Sequence, residues 1–170
     1  MGSKNKLKRF RENATFDNVF QPKRDELVEL TYPLKGHWHS KIFKNNNPLV
    51  LELGCGKGEY SVALAKQFPS KNFIGIDIKG ARFWRGAKTA IEESINNVAF
   101  IRTQIELIDF LFESNEVDEI WITFPDPQIK YKRTKHRLTN LNFLERYKNI
   151  LKPGGIVNLK LTVNLCMDIL

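Results

Sequence analysis

The sequence predicts an α/β protein with a doubly wound, mostly parallel sheet, and two observations support this. From residue 49 onward, short apolar runs of strand length alternate with helical patterns in the order βαβαβαβαβ. The chain has 170 residues, 42% of them hydrophobic, which suffices for one medium-sized core and not for two. Parallel strands joined by helices bind ligands at their carboxyl ends. The residues that follow each strand are therefore the candidates for a functional site.

The N-terminal region differs from the rest of the chain. Residues 1–25 have few periodic apolar positions, and we expect a basic arm that contains one induced helix. Loop residues follow, and the fold is expected to begin at Leu49. We therefore divide the chain into an N-terminal arm and lead-in, residues 1–48, and a domain, residues 49–170. The predicted strands are 49–53, 72–77, 98–102, 117–123 and one from 156 onward, and the predicted helices are 59–68, 81–93, 105–112 and 141–151.

The net charge of +8 is concentrated in two segments. Residues 1–24 and residues 128–137 each carry a net charge of +5, and the rest of the chain carries −2. Two basic clusters favour a polyanionic partner such as RNA or DNA, although a solvated or disordered tail also accounts for the first one. No apolar run is long enough to span a membrane, and no secretory signal is present, so we expect a soluble, cytoplasmic protein. The two cysteines and three histidines show no metal-ligand spacing, and no metal site is expected.

The first predicted strand runs into E-L-G-C-G-K-G, which starts at Glu52 and precedes a helix. Its glycines allow a sharp turn and a close approach of the backbone to a ligand. A dinucleotide fingerprint would place a third glycine where Glu59 stands, and an acid ahead of the glycines disfavours a pyrophosphate. The pattern favours S-adenosyl-L-methionine, with Glu52, Gly54 and Gly56 as cofactor-binding residues, over an NAD-dependent oxidoreductase. For Glu52 the structural alternative is a strand-end carboxylate bonded to loop amides.

The next two strands also end in polar residues. Asp77 closes the second strand, 21 residues after Gly56, where a carboxylate can bind both hydroxyls of an adenosine ribose. The alternative is that Asp77 caps the following helix. Gln104 follows the third strand, where the adenine and its exocyclic amine would lie, although a polar residue in the first turn of a surface helix would look the same.

The fourth strand leads into Phe124-Pro125-Asp126-Pro127. Two prolines restrict the backbone around Asp126, so its carboxylate is expected to be held on a stiff loop at the ligand-binding edge; an ordinary Asp-Pro turn is the alternative. Five bases and no acid follow. We expect these cations to bind RNA phosphates while the acid meets the edge of a base. They are Lys130, Lys132, Arg133, Lys135 and Arg137.

These motifs, from the basic arm to about Lys160, resemble those of the bacterial tRNA (guanine-N7-)-methyltransferases, and F-P-D-P followed by a basic cluster is the most specific of them. The resemblance implies the Rossmann-like fold of class I S-adenosylmethionine-dependent methyltransferases. It also implies tRNA as partner and N7 of the variable-loop guanine, position 46, as methyl acceptor. By the same resemblance Glu52, Asp77 and Asp126 are acidic cofactor-site residues, Asp126 is also catalytic, and Lys130 contacts the substrate. Gln104 departs from the family, which usually has aspartate there.

The sequence after Lys160 also departs from the family, whose members continue with a Thr-Asp pair that meets the guanine and then with further strands. Here the chain reads L-T-V-N-L-C-M-D-I-L. We hypothesise a frameshift, because one restored adenine after the lysine codon can give K-T-D-S-E-F. The expected consequences are a domain that lacks its last strands, an unpaired sheet edge, marginal stability and weak or absent methylation.

Other functions stay open at this point. The chain could methylate another RNA or a protein, or it could be an RNA-binding module of methyltransferase type without catalysis. The sequence does not decide between a monomer and a homodimer.

Overall fold

The computed structural model describes residues 2–125, 128 and 136–161. These residues form one parallel sheet with helices on both faces. The strands are β1 (Val19–Phe20), β2 (Leu49–Leu53), β3 (Asn72–Asp77), β4 (Val98–Arg102), β5 (Val117–Thr123) and β6 (Leu151–Lys160). The α-helices are α1 (Gly2–Asn13), α2 (Arg24–Glu29), α3 (Glu59–Gln67), α4 (Gly80–Glu92), α5 (Ile108–Leu111) and α6 (Leu141–Ile150), with a π-helical segment at Trp38–Phe43 and a 3-10 turn at Ile105–Leu107.

The strand order is β1-β4-β3-β2-β5-β6, and all neighbouring pairs are parallel. From β2 the chain proceeds to β3 and β4 on one side, and then returns to place β5 and β6 on the other. The strand order therefore reverses between β2 and β5, and the connections that leave their carboxyl ends diverge. A crevice forms at such a point, and ligands of doubly wound sheets bind there. The predicted fold class is confirmed.

Both faces of the central strands are buried. Leu49, Leu51 and Leu53 of β2 pack into the core beneath α5 and α6, whereas Val50 packs into the core beneath α3 and α4. Strands covered on both faces appear in the sequence as continuous apolar runs, which explains why their predicted bounds match the structure.

Residues of the lead-in pair with the sheet and pack into its core, although we expected the fold to begin at Leu49. β1 pairs with β4, with Val19 opposite Phe100. Trp38 is fully buried, and its indole N–H donates to the carbonyl of Leu111 at 3.0 Å. Its ring lies 5.2 Å from that of Phe20. These contacts join residues far apart in the sequence, so no local pattern predicts them. The domain boundary at residue 48 stays a prediction.

The predicted N-terminal helix is present as α1, and it is packed against α4. The buried Asn13 donates from its side-chain amide to the carbonyl of Gly80 at 2.9 Å. The indole N–H of Trp84 donates to the carboxylate of Glu12 at 2.6 Å. Both bonds link the last turn of α1 to the beginning of α4, so this helix is an integral part of the structure.

The last strand begins earlier than predicted. β6 starts at Leu151, which pairs with Val117 of β5. Residues 152–155 then form an irregular stretch before the pairing resumes at Glu119 and Ile156. Among the described residues, β6 pairs with β5 alone, and its apolar side chains Ile156 and Leu159 are exposed. The predicted helix 105–112 is a 3-10 turn followed by α5. Within the ranges described, no helix has the length and apolar character needed to cross a membrane.

Candidate active site

The glycine loop after β2 lies at the carboxyl edge of the sheet. The amides of Gly54 and Cys55 donate to the carbonyl of Ile76, at 2.8 and 3.1 Å, and tie the loop to β3. Gly54 and Gly56 have φ angles of 75° and 57°, which L side chains rarely adopt. A Cβ on Gly56 would have no atom within 4 Å, so its backbone faces open space. The loop therefore leaves room for a ligand against its main chain.

The third glycine of the loop contacts α4. A Cβ on Gly58 would lie 2.5 Å from the ring of Phe100, and a Cβ on Gly86 would lie 2.9 Å from the Cα of Gly58. The amide of Gly86 donates to the carbonyl of Lys57 at 3.0 Å. The glycine loop and α4 thus touch through their backbones, which only glycine at both positions allows.

Backbone amides of the glycine loop and of the residue before α4 hold Asp77 in place. One of its carboxylate oxygens accepts from the amide of Gly56 at 2.9 Å, and the other accepts from the amide of Lys79 at 2.7 Å. Lys79 is the N-cap residue of α4, so Asp77 does not cap that helix. Each oxygen retains a further lone pair, with which the carboxylate can accept from vicinal hydroxyl groups.

Glu52 is buried, with 4% of its surface exposed. Its carboxylate accepts hydrogen bonds from the hydroxyls of Ser61 and Thr123. Burial raises the pKa of Glu52, and the charge of Asp77 adds to this, while the two hydroxyls and the Ser61 amide oppose it. Glu52 is thus a fixed carboxylate beneath the glycine loop, and a neighbouring cation would favour its ionised form.

A cavity of about 390 Å³ opens beside Asp77. Its walls combine apolar and polar side chains, among them Gly54, Asp77, Ile78, Gln104, Ile105 and Leu138. The side-chain carbonyl of Gln104 accepts from the guanidinium of Arg24 at 2.8 Å. Because an amide oxygen has two lone pairs, this bond fixes the amide and still leaves one acceptor position.

A second cavity, of about 580 Å³, lies on the other side of Gly54, which lines both. Glu52, Tyr60, Arg82 and Phe124 are among its walls. Phe124 has a φ of 48° and is 54% exposed. A bulky residue in the left-handed region directly before a proline is a backbone outlier, and such outliers cluster at functional sites.

The structure brings the predicted cofactor residues Glu52, Gly54, Gly56, Asp77 and Gln104 together around these two cavities. Of the predicted substrate residues, Arg137 is exposed and donates to the carbonyl of Gln128 at 3.3 Å. The other predicted site residues lie outside the described residues. They are Asp126, Lys130, Lys132, Arg133 and Lys135.

Four further residues of the site were not predicted from the sequence. Ser61 and Thr123 orient Glu52, Arg24 orients Gln104, and Phe124 lines the second cavity. Thr123 could have been found, because it ends a strand directly before the F-P-D-P segment. Arg24 could not, since 80 residues separate it from Gln104.

A parallel sheet with this strand order, a glycine loop after β2 and a strand-end acid beside the cleft define the fold of class I S-adenosylmethionine-dependent methyltransferases. A solved structure supports this assignment: a mutant of 16S rRNA (adenine(1408)-N(1))-methyltransferase from Catenulisporales acidiphilia, with its cosubstrate SAM, aligns with a TM-score of 0.60. The alignment covers 76% of this chain and 63% of that one. At 18% sequence identity, it supports the fold alone.

The sequence comparisons are more specific. A family described as "Putative methyltransferase" matches residues 46–164. The tRNA (guanine-N(7)-)-methyltransferase of Christiangramia forsetii is 71% identical over 94% of this chain and 71% of its own length. The protein of the same name from Bacteroides fragilis is 51% identical over 95% of this chain, which spans 63% of that relative's length. The chain belongs to the tRNA (guanine-N(7)-)-methyltransferase family.

Proposed function

We propose that this chain binds S-adenosyl-L-methionine in the two cavities and transfers its methyl group to N7 of a guanine in tRNA. The observation that carries this proposal is the position of Gly54, which lines both cavities at the point where the strand order reverses. One extended ligand can therefore pass along the glycine loop from the first cavity to the second. The names of the relatives supply the RNA substrate and the acceptor atom.

The residues around the first cavity fit the adenosine part of the cofactor. Asp77 can accept from both ribose hydroxyls, and Ile78, Ile105 and Leu138 offer apolar surface to the adenine ring. Gln104 offers an amide that Arg24 holds in one orientation. Among the residues that the structure describes, His136 is the one basic side chain that lines this cavity, which favours a ligand without phosphates.

The residues around the second cavity fit the cationic part of the cofactor and the acceptor. S-Adenosylmethionine supplies an electrophilic methyl group on a positively charged sulfur. Glu52 and Glu59 bring negative charge to the cavity, and the exposed ring of Phe124 offers a face for a nucleobase. Guanine N7 carries a lone pair and no proton, so the site needs no general base to activate it. Orientation of the two reactants is then the main contribution of the protein, and it can lower the barrier by about 7–11 kcal/mol.

The remaining roles rest on the sequence and the family. We propose that Asp126 meets the guanine or the cofactor and stabilises the charge that develops on the methylated base. We propose that Lys130, Lys132, Arg133, Lys135 and Arg137 bind tRNA phosphates. A tRNA substrate also implies that the protein works in the cytoplasm.

Transfer of a labelled methyl group tests the proposal. The chain is incubated with labelled S-adenosylmethionine and an unmodified tRNA, and aniline cleavage after borohydride reduction locates any N7-methylated guanine. The matched control is the same tRNA with adenine in place of the variable-loop guanine. We expect label and cleavage with the first tRNA and neither with the second. A parallel thermal-unfolding assay compares S-adenosylhomocysteine with NAD, and only the former is expected to stabilise the chain.

Other results would contradict the proposal in distinct ways. Label that appears in both tRNAs would point to a different acceptor position. Binding of tRNA without any transfer would identify an RNA-binding module that lacks catalysis. Stabilisation by NAD would contradict the assignment of the cofactor.

A further inference from the structure

A concentration of positive charge lies where α1 meets α4. The two helices, Gly2–Asn13 and Gly80–Glu92, together contain eight lysines and arginines and two acids, Glu12 and Glu92. Their net charge is therefore +6. The two segments are distant in the sequence, so this concentration is visible only in the folded structure.

The contact between the two helices holds their cations close together. The guanidinium of Arg9 lies 4.9 Å from the centre of the Trp84 ring, and the ammonium of Lys88 lies 5.2 Å from it. Glu12 accepts from the indole N–H of Trp84 and lies 3.8 Å from the ammonium of Lys8, and Glu92 lies 3.7 Å from the ammonium of Lys88. The other cations of the two helices repel one another, and a bound polyanion would relieve that repulsion.

The outer face of α4 continues this charge towards the site. Phe83, Ala87 and Ala90 are buried, which places Arg85 on the face turned away from the sheet. One turn earlier, the exposed Arg82 lines the second cavity together with the exposed Lys57 of the glycine loop. A continuous row of cations therefore leads from α1 to the cavity that contains Glu52 and Phe124. We call the exposed cations of this row the α1–α4 basic surface: Lys6, Lys8, Arg9, Arg11, Lys57, Lys79, Arg82 and Arg85.

We propose that the α1–α4 basic surface binds the phosphate backbone of a structured RNA and leads that RNA to the second cavity. This inference rests on the proposed function for the identity of the RNA, which is tRNA. The sequence had already indicated the basic segment 1–24, and the structure adds to it cations of the glycine loop, of α4 and of the residue before α4. These are Lys57, Lys79, Arg82 and Arg85. The cations of the surface are exposed and have few acidic neighbours, so each of them can neutralise a phosphate and release a condensed counterion.

A pair of matched charge variants of the full chain tests this proposal. The first variant, K6Q/R11Q/R85Q, removes three exposed cations from the surface and leaves unchanged Arg9, Glu12 and Trp84, which join the two helices. The control, K41Q/K44Q/K148Q, removes three exposed lysines that lie outside α1, α4 and the glycine loop. The binding of an unmodified tRNA is measured for both and for the original chain between about 50 and 200 mM salt, the range over which phosphate contacts dominate the change in affinity.

For the first variant we expect the slope of log K against log salt to fall by about 2 to 3, because each lost phosphate contact reduces it by about 0.9 in duplex regions. We expect tRNA to bind about tenfold more weakly to this variant at fixed salt, and less than twofold more weakly to the control. Stabilisation by S-adenosylhomocysteine should be the same in all three proteins, which shows that the substitutions leave the fold intact.

The outcomes separate this proposal from the proposed function. Equal losses of affinity in the two variants would overturn the proposal, and so would binding to vesicles of anionic lipid in place of RNA. If the surface variant binds tRNA normally and still transfers methyl groups, the proposed function is supported and RNA binding by the α1–α4 basic surface is contradicted. If the variant shows the reduced salt slope but the original chain transfers no methyl group, RNA binding by the surface is supported and the proposed function is contradicted.

Discussion

The two sides of the cleft differ in how their residues are supported. On the side of β2, β3 and β4, strands are buried on both faces, and backbone amides or buried hydroxyls fix the carboxylates Glu52 and Asp77. On the side of β5 and β6, the edge strand β6 exposes Ile156, Val157 and Leu159.

This difference corresponds to the two roles proposed for the site, which are cofactor binding and acceptor binding. The contacts that orient Asp77 and Gln104 come from Arg24, Gly56 and Lys79, none of which belongs to β5 or β6. In the proposed reaction, the acceptor would lie in the second cavity beside Phe124. Cofactor binding and acceptor binding should therefore respond to different substitutions.

The largest difference between the two sides should be in stability. In Gly58→Ala the new Cβ meets the ring of Phe100, which is buried and stacked on Phe83 and has no space to move. Backbone strain and overpacking together should lower the free energy of unfolding by about 3 kcal/mol. Gly154→Ala is the matched control, because Gly154 has a similar φ of 81° with no atom within 4 Å of the new Cβ, and it should cost about 1 kcal/mol. Urea unfolding measures both, and equal losses would contradict a close contact between the glycine loop and α4.

Cofactor affinity should depend on Asp77. Asp77→Asn replaces one acceptor oxygen by an amide that cannot accept from Gly56 or Lys79, and it removes the charge that, in the proposed function, accepts from the ribose hydroxyls. We expect the Kd for S-adenosylhomocysteine to rise by about 10- to 100-fold, in line with hydrogen bonds to charged groups. In the control, Asp109→Asn, the substituted residue pairs with Arg146 away from the cleft. Calorimetry should show that its Kd is unchanged.

Acceptor binding should depend on Phe124. Phe124→Ala removes an exposed ring from the second cavity, and loss of stacking on one base should raise the KM for tRNA about five- to tenfold. Phe68→Ala, at an exposed phenylalanine after α3, should leave this KM unchanged. A rise in the Kd for S-adenosylhomocysteine in the Phe124 variant would show that the two sides are not separable.

The smallest effect concerns pH. Burial raises the pKa of Glu52 above that of the unfolded chain, so the folded state holds this proton more tightly. Its contribution to stability is therefore greatest at acid pH and declines as the pH rises through the raised pKa. In Glu52→Gln that decline should be absent, and the variant should be more stable at neutral pH by about 1 kcal/mol. Thermal unfolding of both proteins between pH 4 and 8 provides the measurement, and parallel curves would contradict a raised pKa.

The strands could be predicted because their patterns are local. β2, β3, β4 and β5 are short apolar runs bounded by glycines, acids or loop residues, and their predicted bounds agree with the structure. β1 was not predicted because a strand of two residues is too short to show a periodic pattern. The packing of α1 was not predicted because the Asn13–Gly80 hydrogen bond joins residues that are 67 positions apart in the sequence.

The residues of the site also differ in whether the sequence predicts them. Glu52, Gly54, Gly56 and Asp77 could be predicted from their places at strand ends, because the fold brings all strand ends to one edge. The residues that orient them were not predictable, since Ser61 and Thr123 are ordinary hydroxyl residues whose role depends on a carboxylate elsewhere in the chain. Spacing along the chain thus predicts which carboxylates lie at the edge of the sheet better than it predicts the residues that support them.

The contact between Gly58 and Gly86 has a thermodynamic consequence. It joins the loop on which the cofactor would lie to the helix that carries Arg82 and Arg85. If RNA bound to that helix alters the affinity for the cofactor by some factor, the cofactor must alter the affinity for RNA by the same factor. Titrations in either order therefore yield the same coupling free energy. A coupling free energy of zero would mean that RNA and the cofactor bind independently, although Gly58 and Gly86 are in contact.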